Sequence, residues 1–279
     1  MTVQTSEPRI TETTVTTAAA PPSAKPASAD GALLRLDRIS RHFGTLKAVD
    51  NVSFEMAPGE LRAVIGPNGA GKTTFFNLIT GLHPPTSGTV WFAGQNITRL
   101  PVVERVGRGV VRTFQITEIF PELSVFENIR LGVETAAGVN PKPWISRATR
   151  MALDQRIEEL IEMVDLGGKE DRVVGELAHG DQRVVEVAMV LSLQPRLLLL
   201  DEPTAGMGDA ETEHMVRLVQ RLHAERGVSI LFIEHDMDVV FGIAQRITVL
   251  DRGRILAEGV PEEVSADPKV RAAYLGEVE

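Results

Sequence analysis

The sequence predicts an α/β protein with a mostly parallel core sheet, an antiparallel β subdomain and a helical subdomain. Three observations predict it. Leu34-Arg35-Leu36 and Val52-Ser53-Phe54-Glu55-Met56 alternate apolar with polar residues and are separated by turn residues such as Pro58-Gly59, as antiparallel strands with one wet face require. Leu61 to Ile65, Leu197 to Leu200 and Ser229 to Ile233 are continuous apolar runs, each followed by polar or glycine-rich residues. Such runs suit strands buried on both faces of a parallel sheet. Between the first two runs, residues from about 125 to 193 carry helical spacing, with Leu153, Ile157, Leu160, Ile161 and Val164 on one stripe and charges between them.

Taken in order, residues 1–30 are Thr, Ala, Pro and Ser with almost no large apolar side chains, and they read as a disordered tail. Glu7 and Glu12 sit badly in an acid-poor transit peptide, and no charged start with an apolar core marks a secretory signal. Residues 31–279 read as one domain, with the helical subdomain at about 116–193. Asp165-Leu166-Gly167-Gly168 ends one helix of that subdomain. Pro261 to Leu275 reads as a helix pair packed on the body. No internal repeat is present.

Composition narrows the function. A hydrophobic fraction of 43% supports a sizeable core, while a formal net charge of -9 disfavours a general nucleic-acid surface, which needs clustered Lys and Arg. The absence of cysteine excludes disulfides, iron–sulfur ligation and thiol catalysis. No apolar run approaches the roughly 20 residues that span a bilayer, so a membrane role would be peripheral.

Gly66-Pro67-Asn68-Gly69-Ala70-Gly71-Lys72-Thr73-Thr74 follows directly on the run Leu61 to Ile65, in the spacing of a phosphate-binding loop. The glycines let the backbone turn its N–H groups toward a polyphosphate, and a helix starting near Lys72 adds its positive end. Lys72 then reaches the β- and γ-phosphates, and the Thr73 hydroxyl ligates Mg2+; Thr74 continues the helix within the same nucleotide-binding segment. The dinucleotide pattern G-x-G-x-x-G does not fit, and the lack of an Asn-Lys-x-Asp element favours ATP over GTP.

Asp201 and Glu202 end the run Leu197 to Leu200, and successive strand side chains point in different directions. Asp201 is therefore expected in the magnesium shell and Glu202 as the base that orients and deprotonates the attacking water. His235, just after Ser229 to Ile233, is placed to donate to the γ-phosphate and sense it. Glu234 and Asp236 flank it without an assigned task.

The order of the phosphate loop, Gln115 within Arg112-Thr113-Phe114-Gln115, Leu177-Ala178-His179-Gly180-Asp181-Gln182-Arg183, Asp201-Glu202 and His235 resembles the ATP-binding subunit of an ABC transporter over nearly everything after residue 30. The resemblance implies the phosphate-loop ABC ATPase fold, with ATP and Mg2+ as cofactors. Leu177 to Arg183 corresponds to the family's signature, usually written L-S-G-G-Q. Ala178 replaces the serine whose hydroxyl bonds the γ-phosphate held by the opposite subunit, leaving the Gly180 N–H and the helix start for that task. Phe43 matches the aromatic that stacks on adenine. Gln115 links the metal site to the helical subdomain. Gly206-Met207-Gly208-Asp209 stands where the family carries a loop across the subunit interface, with its carboxylate displaced by one position.

The resemblance also implies partners. A second ATP-binding subunit, a copy or a relative, faces the first head to tail. Two transmembrane permease subunits are driven by the pair and fed by an extracytoplasmic substrate-binding protein, with Ile116 to Val125 as the permease-facing surface. The implied location is peripheral, on the cytoplasmic face of the inner (plasma) membrane. Within the family, Arg112-Thr113-Phe114-Gln115, Ile233-Glu234-His235-Asp236-Met237 and the ending Val270 to Glu277 look like importers of branched-chain amino acids. Urea or short-amide importers resemble the chain as well, through Ala178 to Asp181 and Ala205-Gly206-Met207. A soluble non-transport ABC ATPase is the alternative from another class, and such proteins often carry coiled-coil insertions or tandem units that this chain lacks.

Overall fold

The computed structural model describes residues 31–113, 119–138 and 146–275, so the tail at 1–30 lies outside the described residues. The chain opens with strands β1 (Leu34–Phe43), β2 (Leu46–Met56) and β3 (Leu61–Ile65), helix α1 (Lys72–Thr80) and strands β4 (Ser87–Phe92) and β5 (Gln95–Asn96). Helix α2 (Val102–Val106), strand β6 (Val110–Arg112) and helices α3 (Val125–Ala136), α4 (Arg147–Met163) and α5 (His179–Leu191) follow. Strand β7 (Leu197–Asp201), helix α6 (Asp209–Arg226), strand β8 (Ser229–Ile233) and helix α7 (Met237–Ile243) return the chain to the core. Strands β9 (Arg246–Asp251) and β10 (Arg254–Gly259) and helices α8 (Pro261–Ala266) and α9 (Pro268–Leu275) complete it.

Two sheets form. The antiparallel sheet has the order β2-β1-β4-β5, and the larger one the order β10-β9-β3-β8-β7-β6. In the larger sheet every pairing is parallel except β9 with β10. Each residue of β3, β7 and β8 is buried, and alternation along these strands divides them between two cores. Leu61, Ala63, Ile65, Leu198, Leu200, Ile230 and Phe232 face one core with α3 to α6, which is the larger. Val64, Leu197, Leu199, Leu231 and Ile233 face the other, with α1 and the antiparallel sheet. The unbroken apolar runs are thus the sequence consequence of a sheet covered on both sides.

The expected helix end near Asp165 is present, but its left-handed residue is Asp165 itself at φ 58, with Leu166 N–H closing on Ile161 at 3.0 Å. A short polar side chain tolerates that conformation, and Gly168 at φ 81 serves the following turn instead. The start of α3 is set by a capping box between Ser124 and Glu127. Buried Asn128 holds the segment before it, donating to the carbonyls of Phe120 and Ser124 at 3.0 and 2.9 Å and accepting from Phe120 N–H at 2.8 Å. Phe120 itself stays half exposed.

One joint between α1 and the segment after β5 was not legible in the sequence. Arg105, 1% exposed, donates to the carbonyls of Leu78 and Ile79 at 2.7 Å each and of Thr98 and Leu100 at 3.0 Å each. It fastens the C-terminal end of α1, the helix that starts at the phosphate loop, to the β5–α2 connection. A planar fork that bonds several carbonyls at once is specific to arginine. Burial lowers its pKa to about 10, which leaves it charged at neutral pH. Arg105→Met is expected to cost about 3 kcal/mol by stranding these acceptors. Calorimetry should show a fall of roughly 6–12 °C in Tm, and Arg105→Lys should recover only part of it.

Candidate functional site

The phosphate loop leaves the carboxyl end of β3 and turns into α1. Gly66 and Gly71 have to be glycine here. A Cβ on Gly66, at φ 152, would lie 2.1 Å from the Leu250 carbonyl oxygen, and one on Gly71, at φ 101, would lie 2.2 Å from that of Ala48. The loop is pinned on both sides, with Ala70 N–H donating to Pro67 at 3.1 Å and Gly253 N–H donating to Ala70 at 2.9 Å. Gly71 caps α1 without a side-chain bond, which leaves the first N–H groups of the helix for an anion.

Lys72 is buried and folds back on its own loop, its Nζ donating to the carbonyls of Gly66 at 2.6 Å and Pro67 at 3.2 Å. Burial lowers its pKa, against the opposing pull of Glu202 and Asp201. Thr73 is exposed and Thr74 half-buried; Pro67 is half-buried, Asn68 and Gly69 exposed and Ala70 buried.

Asp201 ends β7 and is 2% exposed. Its Oδ2 accepts from Arg112 Nη2, while Arg112 Nη1 donates to Asn77 Oδ1 at 2.5 Å and the guanidinium covers the Phe76 ring at 5.5 Å. Burial raises the Asp201 pKa, and Arg112 opposes the rise. Oδ1 of Asp201 is buried with no hydrogen-bond partner. An orphaned carboxylate oxygen beside a lysine and a threonine-bearing helix start fits a divalent cation or one of its waters. Gln115, the other metal-site residue expected from the sequence, lies outside the described residues, as do Phe114 and 116–118.

Glu202 departs from the strand. Its N–H still donates to Ile233 at 2.9 Å, but its φ of 50 is left-handed, a conformation that costs a non-glycine residue about 1–3 kcal/mol. The bend turns the side chain to His235, whose Nε2 lies 2.9 Å from Glu202 Oε1. The two residues singled out as base and γ-phosphate sensor thus meet across the ends of β7 and β8.

Sequence reasoning missed the group that holds them. Glu234 is 4% exposed, and its Oε1 accepts from Thr204 N–H at 2.9 Å and the Thr204 hydroxyl at 2.6 Å. Its Oε2 accepts from His235 N–H at 3.1 Å. The carboxylate locks the turn after Glu202 to the end of β8. A carboxylate directly after the apolar run Ile230 to Ile233, with a threonine two residues past the acidic pair, was the available signal. Asp236 has a local task, capping α7 through Asp238 and Val239 N–H at 2.9 and 3.3 Å. Arg112 was quoted in the sequence as part of a motif, but its service to Asp201 was not.

Phe43 is not a core residue. It ends β1, is 41% exposed, meets His83 edge-on at 5.6 Å between centroids and carries the Arg41 guanidinium at 4.6 Å. Within the signature segment, helix α5 begins at His179, with Ala178 as an N-cap that makes no side-chain bond. The Gly180 N–H, expected to be available, already donates to Glu211 Oε1 at 3.1 Å. Gly180 accordingly sits against the start of α6.

Glu234→Leu would leave two N–H groups and a hydroxyl without their acceptor. A loss of about 2–4 kcal/mol in denaturant unfolding is expected, with Glu234→Gln recovering more than half.

The model of the ABC transporter family matches residues 49–205, and that of the branched-chain amino acid ATP-binding cassette transporter matches residues 254–279. The chain is 41% identical over 251 residues to the high-affinity branched-chain amino acid transport ATP-binding protein LivG of Escherichia coli K12, covering 88% of this chain and 98% of LivG. It is 39% identical to BraF of Pseudomonas aeruginosa, with the same coverage. Among solved structures, a nucleotide-free ATP-binding cassette from an ABC transporter superposes with a TM-score of 0.77 at 33% identity, covering 88% of this chain and all of that one. The ADP conformation of the cassette MJ1267 gives a TM-score of 0.76 at 33% identity, with 88% and 99% covered. With the nucleotide loop, the acidic strand end and the whole cassette fold in agreement, this chain belongs to the ABC transporter family, as an ATP-binding cassette of the branched-chain amino acid type.

Proposed function

We propose that this chain binds ATP on the loop Gly66 to Thr74, hydrolyses it at Glu202 and thereby powers an importer of branched-chain or related hydrophobic amino acids. The observation that carries the reading is convergence. Lys72, Asp201, Glu202 and His235 come from segments at the carboxyl ends of the neighbouring strands β3, β7 and β8, where open parallel sheets bind ligands. Phe43 offers an exposed ring to the adenine. Lys72 exchanges the Gly66 and Pro67 carbonyls for the β- and γ-phosphates, so its resting bonds keep a buried ammonium satisfied until nucleotide arrives. Thr73, Asp201 and Gln115 would hold Mg2+, which when bound offsets the charge of the triphosphate.

Glu202 takes the proton of the attacking water. Its pairing with His235 aims the carboxylate, and His235 in turn donates to the γ-phosphate when that group is present. Arg112 favours the ionised form of Asp201 against its burial. The relatives named above are subunits of transporters, and this chain is read as working the same way. It pairs with a second ATP-binding subunit, seats on two transmembrane permease subunits through the region of Ile116 to Val125 and is served indirectly by an extracytoplasmic substrate-binding protein. No nucleic acid is involved. None of the described helices is long and apolar enough to cross a membrane, which accords with a peripheral place on the cytoplasmic face of the inner membrane.

Glu202→Gln is expected to lower phosphate release by about 10²- to 10⁴-fold while ATP-bound pairing of subunits, followed by sedimentation, becomes more stable. Full turnover in this variant would remove Glu202 as the base. Tagged protein isolated from gently solubilised native membranes should bring down two permease chains and a second ATP-binding chain in stoichiometric amounts. Recovery without any membrane protein would point to a soluble ABC ATPase instead.

A further inference from the structure

The start of α5 has a peculiarity that the hydrolytic site does not use. Ala178 occupies the N-cap with φ -58 and ψ 152, the extended geometry from which a serine or threonine accepts a hydrogen bond from the helix. Its methyl accepts nothing. The missing acceptor comes from another element, since Glu211 of α6 bonds the Gly180 N–H at 3.1 Å. The other oxygen of the same carboxylate accepts from Gly208 N–H at 3.2 Å, at the N-cap of α6. One carboxylate therefore joins the positive ends of two helices, a setting that favours an anion. The approach depends on glycine, because a Cβ on Gly180 would lie 2.8 Å from Glu211 Oε1.

We infer that Glu211 holds the start of α5 in place of the absent side-chain cap and has to release the Gly180 N–H before the γ-phosphate of an ATP on the facing subunit can take it. This rests on the paired-subunit reading under Proposed function. A carboxylate engaging that N–H competes with an arriving phosphate for it, and left beside the phosphate it repels it. Glu211 is thus a positioning residue that touches neither the phosphate loop nor Glu202. It sets the ATP concentration at which two subunits close, and it ties that event to the segment Gly206-Met207-Gly208-Asp209 that leads into α6.

The test uses the full chain carrying Glu202→Gln, paired with a second copy or with the relative co-isolated from membranes. Glu211→Gln keeps the shape and one acceptor while removing the charge. ATP-dependent association measured by sedimentation is expected to tighten about two- to fivefold, the range set by a charge at a helix N-terminus. The difference should shrink in high salt, which a packing effect would not do. ATP affinity of the single subunit should not change, because the loop it binds is elsewhere. Ala178→Ser supplies the local cap, so in that background the effect of Glu211→Gln should fall to half or less. Unchanged or weaker association of Glu211→Gln, with its Tm within about 4 °C of the parent, overturns the inference alone. Absence of ATP-dependent association in the parent overturns the paired-subunit reading and the inference together.

Discussion

Everything in this chain hangs on the burial of β3, β8 and β7 on both faces. Because these strands run side by side and parallel, their carboxyl ends come out along one edge of the sheet, and the residue after each apolar run is delivered to the same place. The alternation of Val64, Leu197, Leu199, Leu231 and Ile233 into one core and their neighbours into the other leaves no freedom of register. A slip by one residue in β7 would exchange Asp201 with Glu202 as well as Leu198 with Leu199.

Charges gather at that edge, some buried and some partly exposed, and the structure supplies an opposite pole to each group. Lys72 is bonded by loop carbonyls, Asp201 by Arg112, Glu202 by His235, and Glu234 by Thr204 and the His235 backbone. Among the described residues of this network, Nε of Arg112 and Oδ1 of Asp201 are buried without a partner, and a buried acceptor without a donor is costly unless a cation or water completes it. Backbone strain accompanies the same place, since Glu202 is left-handed where the strand would otherwise continue straight. Strain of this kind persists only where neighbours over-determine it, and the Glu234 to Thr204 lock lies two residues on.

A second polar arrangement lies at the starts of α5 and α6. There the chain departs from the family's serine, and a carboxylate on the next helix has taken the vacant donor. The two departures, Ala178 and the engaged Gly180, are one arrangement rather than two defects. The two places are held differently, the strand ends by pairs that include the buried Asp201 with Arg112, and the starts of α5 and α6 by the half-buried Glu211.

Local patterns in the chain carried much of this. The apolar runs specify strands covered on both faces, the alternations of 34–56 specify a wet antiparallel pair, and Gly66 to Thr74 specifies a loop, each through interactions among residues near in sequence. The parallel strand β9 and the helix α6 escaped that reading, as did the partners Arg112, Arg105, Glu234 and Glu211. Arg105 reaches back 27 residues to Leu78, Arg112 reaches 89 to Asp201, Glu234 reaches 30 to Thr204 and Glu211 reaches 31 to Gly180. A charged residue in a sequence looks the same whether it is solvated or buried against a distant partner. The sequence by itself determined which segments become strands and where the glycine-rich turn into α1 falls, because hydrophobic periodicity and glycine sterics are local. Only the tertiary structure decided which charges meet, because desolvation and hydrogen bonding depend on what the fold brings within about 3 Å.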